Sequence, residues 1–301
     1  MNFWLNIYKP PSISSAKAVY IIKKTLSQKK VGHTGTLDVE AQGVLPIAIG
    51  QATKLTKFLL NAKKEYIFTI KFGAFTDTDD ASGEIIETTD NIPTHEMCES
   101  VCAKFLGDIS QTPSRFSAIK KDGIRSYKLA RNGVSFELDP RTVHIYDLKL
   151  IDTDLITHNT ATYRVKCSKG TYVRTLAKDI ALLLQSCGFV IKLERVVVGV
   201  FNKYNSIDLD YVSNLNQSDA CRYLIQNQHD IASVLSTENS INVEYDIAKK
   251  IHHGQLCHVN IGENLNNVSV MYDNKLLAIG SIKNGCFYSG RVFNLVDILK
   301  K

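Results

Sequence analysis

The chain has 301 residues, 44% of them hydrophobic, which is enough to pack one large or two ordinary domains. A formal charge of +6 suits a polyanionic partner without requiring one. Seven scattered cysteines read as reduced thiols of a cytoplasmic protein, and with neither a signal-peptide pattern nor an apolar run of ~18 residues, export and a membrane span are not expected.

From the N-terminus, Val19, Ile22 and Leu26 stand at helical spacing behind Ser14, a good N-cap, and predict a helix over 15–28. Residues 32–38, Gly-His-Thr-Gly-Thr-Leu-Asp, form a small-residue loop with hydroxyls and open amides. It delivers one carboxylate, Asp38, with His33 five residues before it, and its glycines let a bulky ligand approach the backbone. The plain alternative is that Asp38 caps a helix, although Ala41 stands where a capping box needs Glu or Gln. Residues 64–72 alternate, with Tyr66, Phe68, Ile70 and Phe72 on one side, and predict a half-buried strand. Cys98 and Cys102 sit at i, i+4 with no second pair at zinc spacing, so helix packing explains them.

The segment 115–131 carries Arg115, Lys120, Lys121, Arg125, Lys128 and Arg131 against one acid, Asp122, interleaved with Phe116 and Tyr127. Such a run neutralises RNA phosphates or is simply a solvated loop. Residues 160–168 alternate again, through Ala161, Tyr163, Val165 and Cys167. Leu176, Ile180 and Leu183 predict a helix over 172–186, with Gly188 as its stop, and Val196-Val197-Val198 marks another strand. Around 202–240 Asn, Gln, Ser and Asp dominate and apolar periodicity weakens. After 241 come short apolar runs, Val268–Tyr272, Leu276–Ile279, Cys286–Tyr288 and Val292–Leu295, punctuated by Asp273-Asn274 and Asn284-Gly285. That is hairpin chemistry in a β-rich module. Strands and helices that do not alternate strictly imply an α+β fold.

Several stretches resemble the TruB family of tRNA pseudouridine-55 synthases. Residues 32–55, GHTGTLDVEAQGVLPIAIGQATKL, are similar to its catalytic motif, and Lys9-Pro10-Pro11-Ser12-Ile13-Ser14-Ser15 to its opening motif. Lys64-Glu65-Tyr66 resembles its tyrosine strand, and Thr76-Asp77-Thr78-Asp79-Asp80-Ala81-Ser82-Gly83 its acidic turn. The stretch 111–120, QTPSRFSAIK, is similar to the start of its RNA-gripping insertion, and 167–176, CSKGTYVRTL, to its arginine motif. The matches keep the family's order over about residues 3–200.

The resemblance implies a pseudouridine-synthase catalytic domain over 1–235, with a mixed, largely antiparallel sheet flanked by helices and loops and an RNA-binding arm at about 113–141. A small PUA-like RNA-binding domain over 241–301 is implied more weakly, by residues 248–254, AKKIHHG. It assigns Asp38 as the catalytic carboxylate and Arg174 as its partner. Tyr66 and Leu193 would hold the base, His33 would meet the extruded nucleotide, and Lys54 would make a phosphate or structural contact. The substrate implied is uridine 55 in the T loop of tRNA, handled by base flipping and without cofactor or metal. The chain holds neither a P-loop nor a GxGxxG after a strand. A monomer with no obligatory protein partner is expected. The alternatives are a guide-RNA-directed synthase acting on other RNA, and a non-catalytic tRNA-binding or folding protein. Three positions depart from the family pattern: Ser12 for glycine, Val39 for proline and Phe116 for tyrosine.

Overall fold

The computed structural model describes residues 1–117, 119–235 and 238–294. A ten-stranded sheet forms the body. Along its main path the strands run Ile207–Asp208, Phe3–Lys9, Gln42–Ile49, Gly188–Val198, Lys64–Phe72, Thr160–Cys167, Arg141–Asp154 and Gly107–Gln111. Val31–His33 and Phe201–Asn202 pair at its side. Two pairings are parallel, Gln42–Ile49 with Gly188–Val198 and Phe3–Lys9 with Ile207–Asp208; the others are antiparallel. The expected mixed, largely antiparallel α+β architecture is the one observed.

The alternation read from the sequence decides which face is buried. Phe68, Ile70, Phe72, Ala161, Tyr163, Val165 and Cys167 all point into one apolar core with the helix Val173–Leu183, and Phe68 stacks on Tyr163 at 5.6 Å. Cys98 and Cys102 lie in the same core as packing groups. The helix Ser15–Thr25, capped by Ser14, whose side chain accepts from the Lys17 amide, packs with Leu5, Ile7, Leu45 and Ile47 in a second core. A third core joins Trp4, Leu55 and Phe201 to Leu276, Ile279 and Phe293 of the C-terminal unit.

Two expectations need correction. Leu183 is 54% exposed and Leu184 is buried, because Leu176, Ile180 and Leu184 form the i, i+4, i+8 row. The helix is stopped by Gln185, at φ 55, while Gly188 opens a strand that runs unbroken through Val198. Within the polar stretch, two short helices that the weak periodicity did not announce form at Leu209–Asn214 and Gln217–Gln226, capped by Asp208 and Asn216. Each buries two apolar side chains, Leu209 and Val212 in the first, Ala220 and Leu224 in the second.

The C-terminal unit is a five-stranded sheet, Ser240–Asn242, Leu265–Tyr272, Lys275–Lys283, Cys286–Val292 and Cys257–His258 in spatial order, with the helix Tyr245–His252. Asp273 and Asn274 at φ 50 and 57, and Asn284 and Gly285 at φ 51 and 74, supply the two hairpin turns at the expected positions. The last predicted apolar run ends at Leu295, outside the described residues.

At the parallel seam Gly43 pairs with Arg195, at φ +115, and a Cβ there would lie 2.3 Å from the Arg195 carbonyl oxygen. Gly43→Ala should therefore lower stability by at least about 2 kcal/mol, since neither conformation nor space admits the methyl. Gly32→Ala, with nothing within 4 Å of its Cβ position, should change it little. Urea unfolding of both variants checks the contrast, and equal midpoints would refute it.

Candidate active site

Arg174, in the first turn of Val173–Leu183, is 8% exposed and draws three other segments to its helix. Its Nε forms an ion pair with Asp38 Oδ2 at 3.0 Å, and its Nη1 donates to Asp80 Oδ2 at 3.1 Å and to the Thr78 carbonyl at 3.0 Å. Nη2 donates to the Phe116 carbonyl at 3.2 Å. A cation at a helix N-terminus opposes the helix dipole, and two carboxylates offset that cost.

The Asp38 loop is fixed on both sides of the carboxylate. Ser15 Oγ donates to the Leu37 carbonyl at 2.9 Å and accepts from the Leu37 amide at 2.8 Å. Lys9, fully buried, donates from Nζ to the carbonyls of Pro10, Ile13 and Val39 at 2.7, 2.8 and 3.1 Å. No helix follows Asp38: a tight turn closes from the Ala41 amide to the Asp38 carbonyl, and a strand begins at Gln42. The capping reading is thereby set aside.

Asp80 is presented by the acidic turn. Its Oδ1 accepts from Thr78 Oγ1 at 2.8 Å and from the Ser82 amide at 3.0 Å, which leaves Oδ2 for Arg174. Gly83 is required here, as a Cβ would meet Asp77 Oδ1 at 2.2 Å.

Asp38 and Arg174 stand where two cavities meet. The first, about 270 Å³, is lined by Gly35, Tyr66, Leu193 and Arg195 among others; the second, about 810 Å³, shares Asp38, Arg174 and Leu193 and extends past Glu40, Asp80 and Lys192. Adjacent strands bring Tyr66 opposite Arg195 and Phe68 opposite Leu193. Burial pushes the Tyr66 phenol above its ordinary pKa, while Arg195 pulls against the rise.

Four of the residues singled out in the sequence, Asp38, Tyr66, Arg174 and Leu193, therefore line one cleft. His33 ends the strand Val31–His33 next to it, half-buried, with Nδ1 lacking a hydrogen-bond partner among the described residues and its pKa lowered by burial and then by Arg195. Lys54 does not line it. Gly50–Leu55 folds as a short 3-10 helix, and Lys54 Nζ donates to Gln51 Oε1 and to the Val292 carbonyl, both at 2.8 Å, 5.2 Å from the Phe293 ring centre. It ties the ten-stranded body to the C-terminal unit. Sequence reasoning gave no role to Lys9, Ser15, Asp80 or Arg195. The first three sit inside motifs already noted, and Arg195 had no signal beyond following Leu193 by two.

The basic segment forms a hairpin, Lys120–Lys121 with Ile124–Arg125, turning at Asp122 and Gly123, and then the helix Ser126–Arg131. Lys120, Arg125 and Lys128 are exposed, whereas Arg115 donates to the Val134 carbonyl at 2.8 Å and lies over the Phe136 ring. Ala118 and the Arg131 side chain fall outside the described residues. No group of three His, Cys, Asp or Glu is placed to hold a metal ion among the described residues.

The model of the TruB family pseudouridylate synthase (N terminal domain) matches residues 23–173. The tRNA pseudouridine synthase B of Rickettsia bellii (strain OSU 85-389) is 50% identical over 98% of this chain and 99% of its own length, and that of Rickettsia akari (strain Hartford) is 46% identical with the same coverage. Two solved structures share the fold. An H/ACA RNP bound to a substrate RNA containing 2'-deoxyuridine aligns with TM-score 0.70 and 21% identity, over 98% of this chain and 86% of that one. A Cbf5-Nop10-Gar1 complex aligns with TM-score 0.68 and 24% identity, over 96% and 84%.

Burial holds the Lys9 ammonium down to about 8 from 10.5, and Lys64 likewise. Between those values the unfolded chain binds protons at these two lysines that the folded chain does not, so they contribute stability that grows with pH across that window and is lost as pH falls to about 8, opposite in sign to the buried thiols and phenols, whose pKa values burial raises. Lys9→Met should flatten the rise, read from urea midpoints at a series of pH values. A slope equal to that of the parent protein would refute the assignment.

Proposed function

The chain belongs to the TruB family of pseudouridylate synthases, and on that premise we propose that it isomerises uridine 55, in the T loop of tRNA, to pseudouridine. It is an isomerase of the tRNA pseudouridine synthase class, and tRNA is its substrate. The observation that carries the finer reading is the ion network Asp38–Arg174–Asp80 at the junction of two cavities lined by Tyr66 and Leu193.

The reaction breaks the C1′–N1 bond, turns the uracil, and joins C5 to C1′. A carboxylate suits it, because it can attack C1′ or stabilise the charge developing there. Asp38 takes that role. Its side chain is 45% exposed, so a nucleotide reaches it, while Arg174 holds one oxygen and leaves the other. The nucleotide must leave its stack, at a cost of a few kcal/mol, offset by contact with Tyr66, Leu193 and neighbouring groups and by phosphate contacts. His33 serves the extruded nucleotide from the cleft's edge. Lys54 acts structurally, holding the C-terminal unit against the body.

We divide the chain into a catalytic unit over 1–235, with its arm at about 113–141, and a PUA-like RNA-binding unit over 241–301. We take a monomer without an obligatory protein partner as the working unit. Its compartment is the cytoplasm, in keeping with a tRNA substrate. Incubating the protein with an unmodified tRNA transcript and mapping pseudouridine tests the reading; product at any position other than 55, or none, would overturn it.

Asp38→Asn should abolish product while leaving fold and tRNA binding nearly intact, since chemistry needs the charge and binding does not. Turnover within about tenfold of the parent would sink the role. Arg174→Ala should damage single-turnover rate more than affinity, because it leaves two carboxylates short of their cation at a cost of about 3–5 kcal/mol. Weak binding with a normal rate at saturation would make Arg174 an RNA contact instead.

Replacing Lys120, Lys121, Arg125 and Lys128 with Ala should weaken tRNA binding with little change in rate at saturation. If all four touch phosphate, the slope of log affinity against log salt falls by roughly 3. An unchanged slope would return the hairpin to a solvated loop.

A further inference from the structure

Arg195 is among the largest fully buried side chains of the protein, 2% exposed. Three of its N–H groups donate to carbonyls: Nε to Val44 at 2.8 Å, Nη1 to Thr36 at 3.4 Å and Nη2 to Gly35 at 3.2 Å. All three acceptors are neutral, and among the described residues no carboxylate pairs with this guanidinium. Asp38, the nearest candidate along the loop, is bound to Arg174. A buried charge without a counter-charge is costly, and a fold keeps one where a negative charge arrives in use.

The cavity wall shows where that charge arrives. Arg195 lines the first cavity with Asp38, Tyr66 and Leu193, and sits opposite Tyr66 across the strand pair. Its field reaches the titratable groups around it. Burial lowers the pKa values of His33 and Lys64 and Arg195 lowers them further, whereas at Tyr66 it opposes the effect of burial. Lys9 feels it too, after burial and the two acids Glu40 and Asp38.

We propose that Arg195 is the fixed positive charge of the base pocket, holding the Gly35–Thr36 turn through its carbonyls and stabilising the anionic uracil formed when the C1′–N1 bond breaks. This rests on the reading of the cleft as a pseudouridine-forming site. When that bond breaks, its electron pair leaves with N1, and the ring carries a negative charge spread over N1 and the carbonyl oxygens. The turned ring then forms the C5–C1′ bond, C5 loses its proton and N1 gains one, so nothing is oxidised or reduced. Charge on the ring exists only between these steps. A cation already in place, and not neutralised by a carboxylate, stabilises that interval more than the bound substrate. Arg174 cannot serve in this way, since its charge is already matched by Asp38 and Asp80.

Arg195→Gln removes the charge and keeps a donor; Arg195→Lys keeps the charge and loses the fork. At saturating unmodified tRNA, Arg195→Gln should lose about a hundred- to a thousandfold in single-turnover rate with affinity nearly unchanged. Arg195→Lys should recover at least tenfold of that loss. Equal losses in the two variants would reduce Arg195 to a loop anchor, and a Gln variant near parental rate would overturn the proposal. Should Arg195→Gln not fold, the pH profile of Arg195→Lys decides. A buried lysine loses its proton as pH rises, so the variant should show an alkaline fall in rate that the parent, with its permanently charged guanidinium, lacks. Profiles that run parallel would refute a role for the charge. A parent that is inactive on tRNA would instead overturn the reading of the site.

Discussion

One buried guanidinium sets the geometry of the centre. Arg174 is reached from the loop before Gln42, the acidic turn, the root of the arm and its own helix, segments far apart in sequence. Desolvating a cation is costly, and only close charged partners and filled donors repay it. The carboxylates that partner it therefore have to be held in place: Asp38 by Ser15 and Lys9 acting on its neighbours, Asp80 by the closed turn around it. Lys9, Ser15 and the acidic turn are thus parts of one positioning device.

The bond from Arg174 to the Phe116 carbonyl gives the arm a stake in the same network. Ser117 and Ser126 join the arm's first residues to its helix through a hydrogen bond of 3.0 Å between their hydroxyls. Any displacement of the root would stretch a charge-assisted hydrogen bond to the arginine that holds Asp38. The root of the hairpin and the Asp38 carboxylate are thus joined through a single side chain.

Local pattern made much of this legible. Period-two alternation over 64–72 and 160–168 named the buried face residue by residue, and the Asp-Asn and Asn-Gly pairs located both C-terminal turns, because these signals depend on immediate neighbours. What escaped depended on contacts across hundreds of residues. Lys54 belongs to the same motif as the Asp38 loop, yet its ammonium is taken by the Val292 carbonyl, 238 positions away. Arg195 reads as one more charged residue in a strand, and its burial appears only when the strands of Gly43 and Tyr66 flank it. The helices at 209–226 were missed because short polar helices owe their stability to packing and caps, and their own apolar rows are too brief to register.

The departures from the family pattern fall where the backbone and not the side chain is used. Ser12 stands at φ 64, a conformation that glycine adopts without strain; a serine there costs on the order of 1 kcal/mol, and its Oγ reaches Glu40 at 3.4 Å. Val39 offers its carbonyl to Lys9, a contact that proline would make equally well. Phe116 meets Arg174 through its carbonyl, so the missing hydroxyl takes nothing from the network. Because carbonyls and a turn, in place of particular side chains, brace the ion network at all three positions, the sequence can drift there while Asp38, Asp80 and Arg174 stay in register.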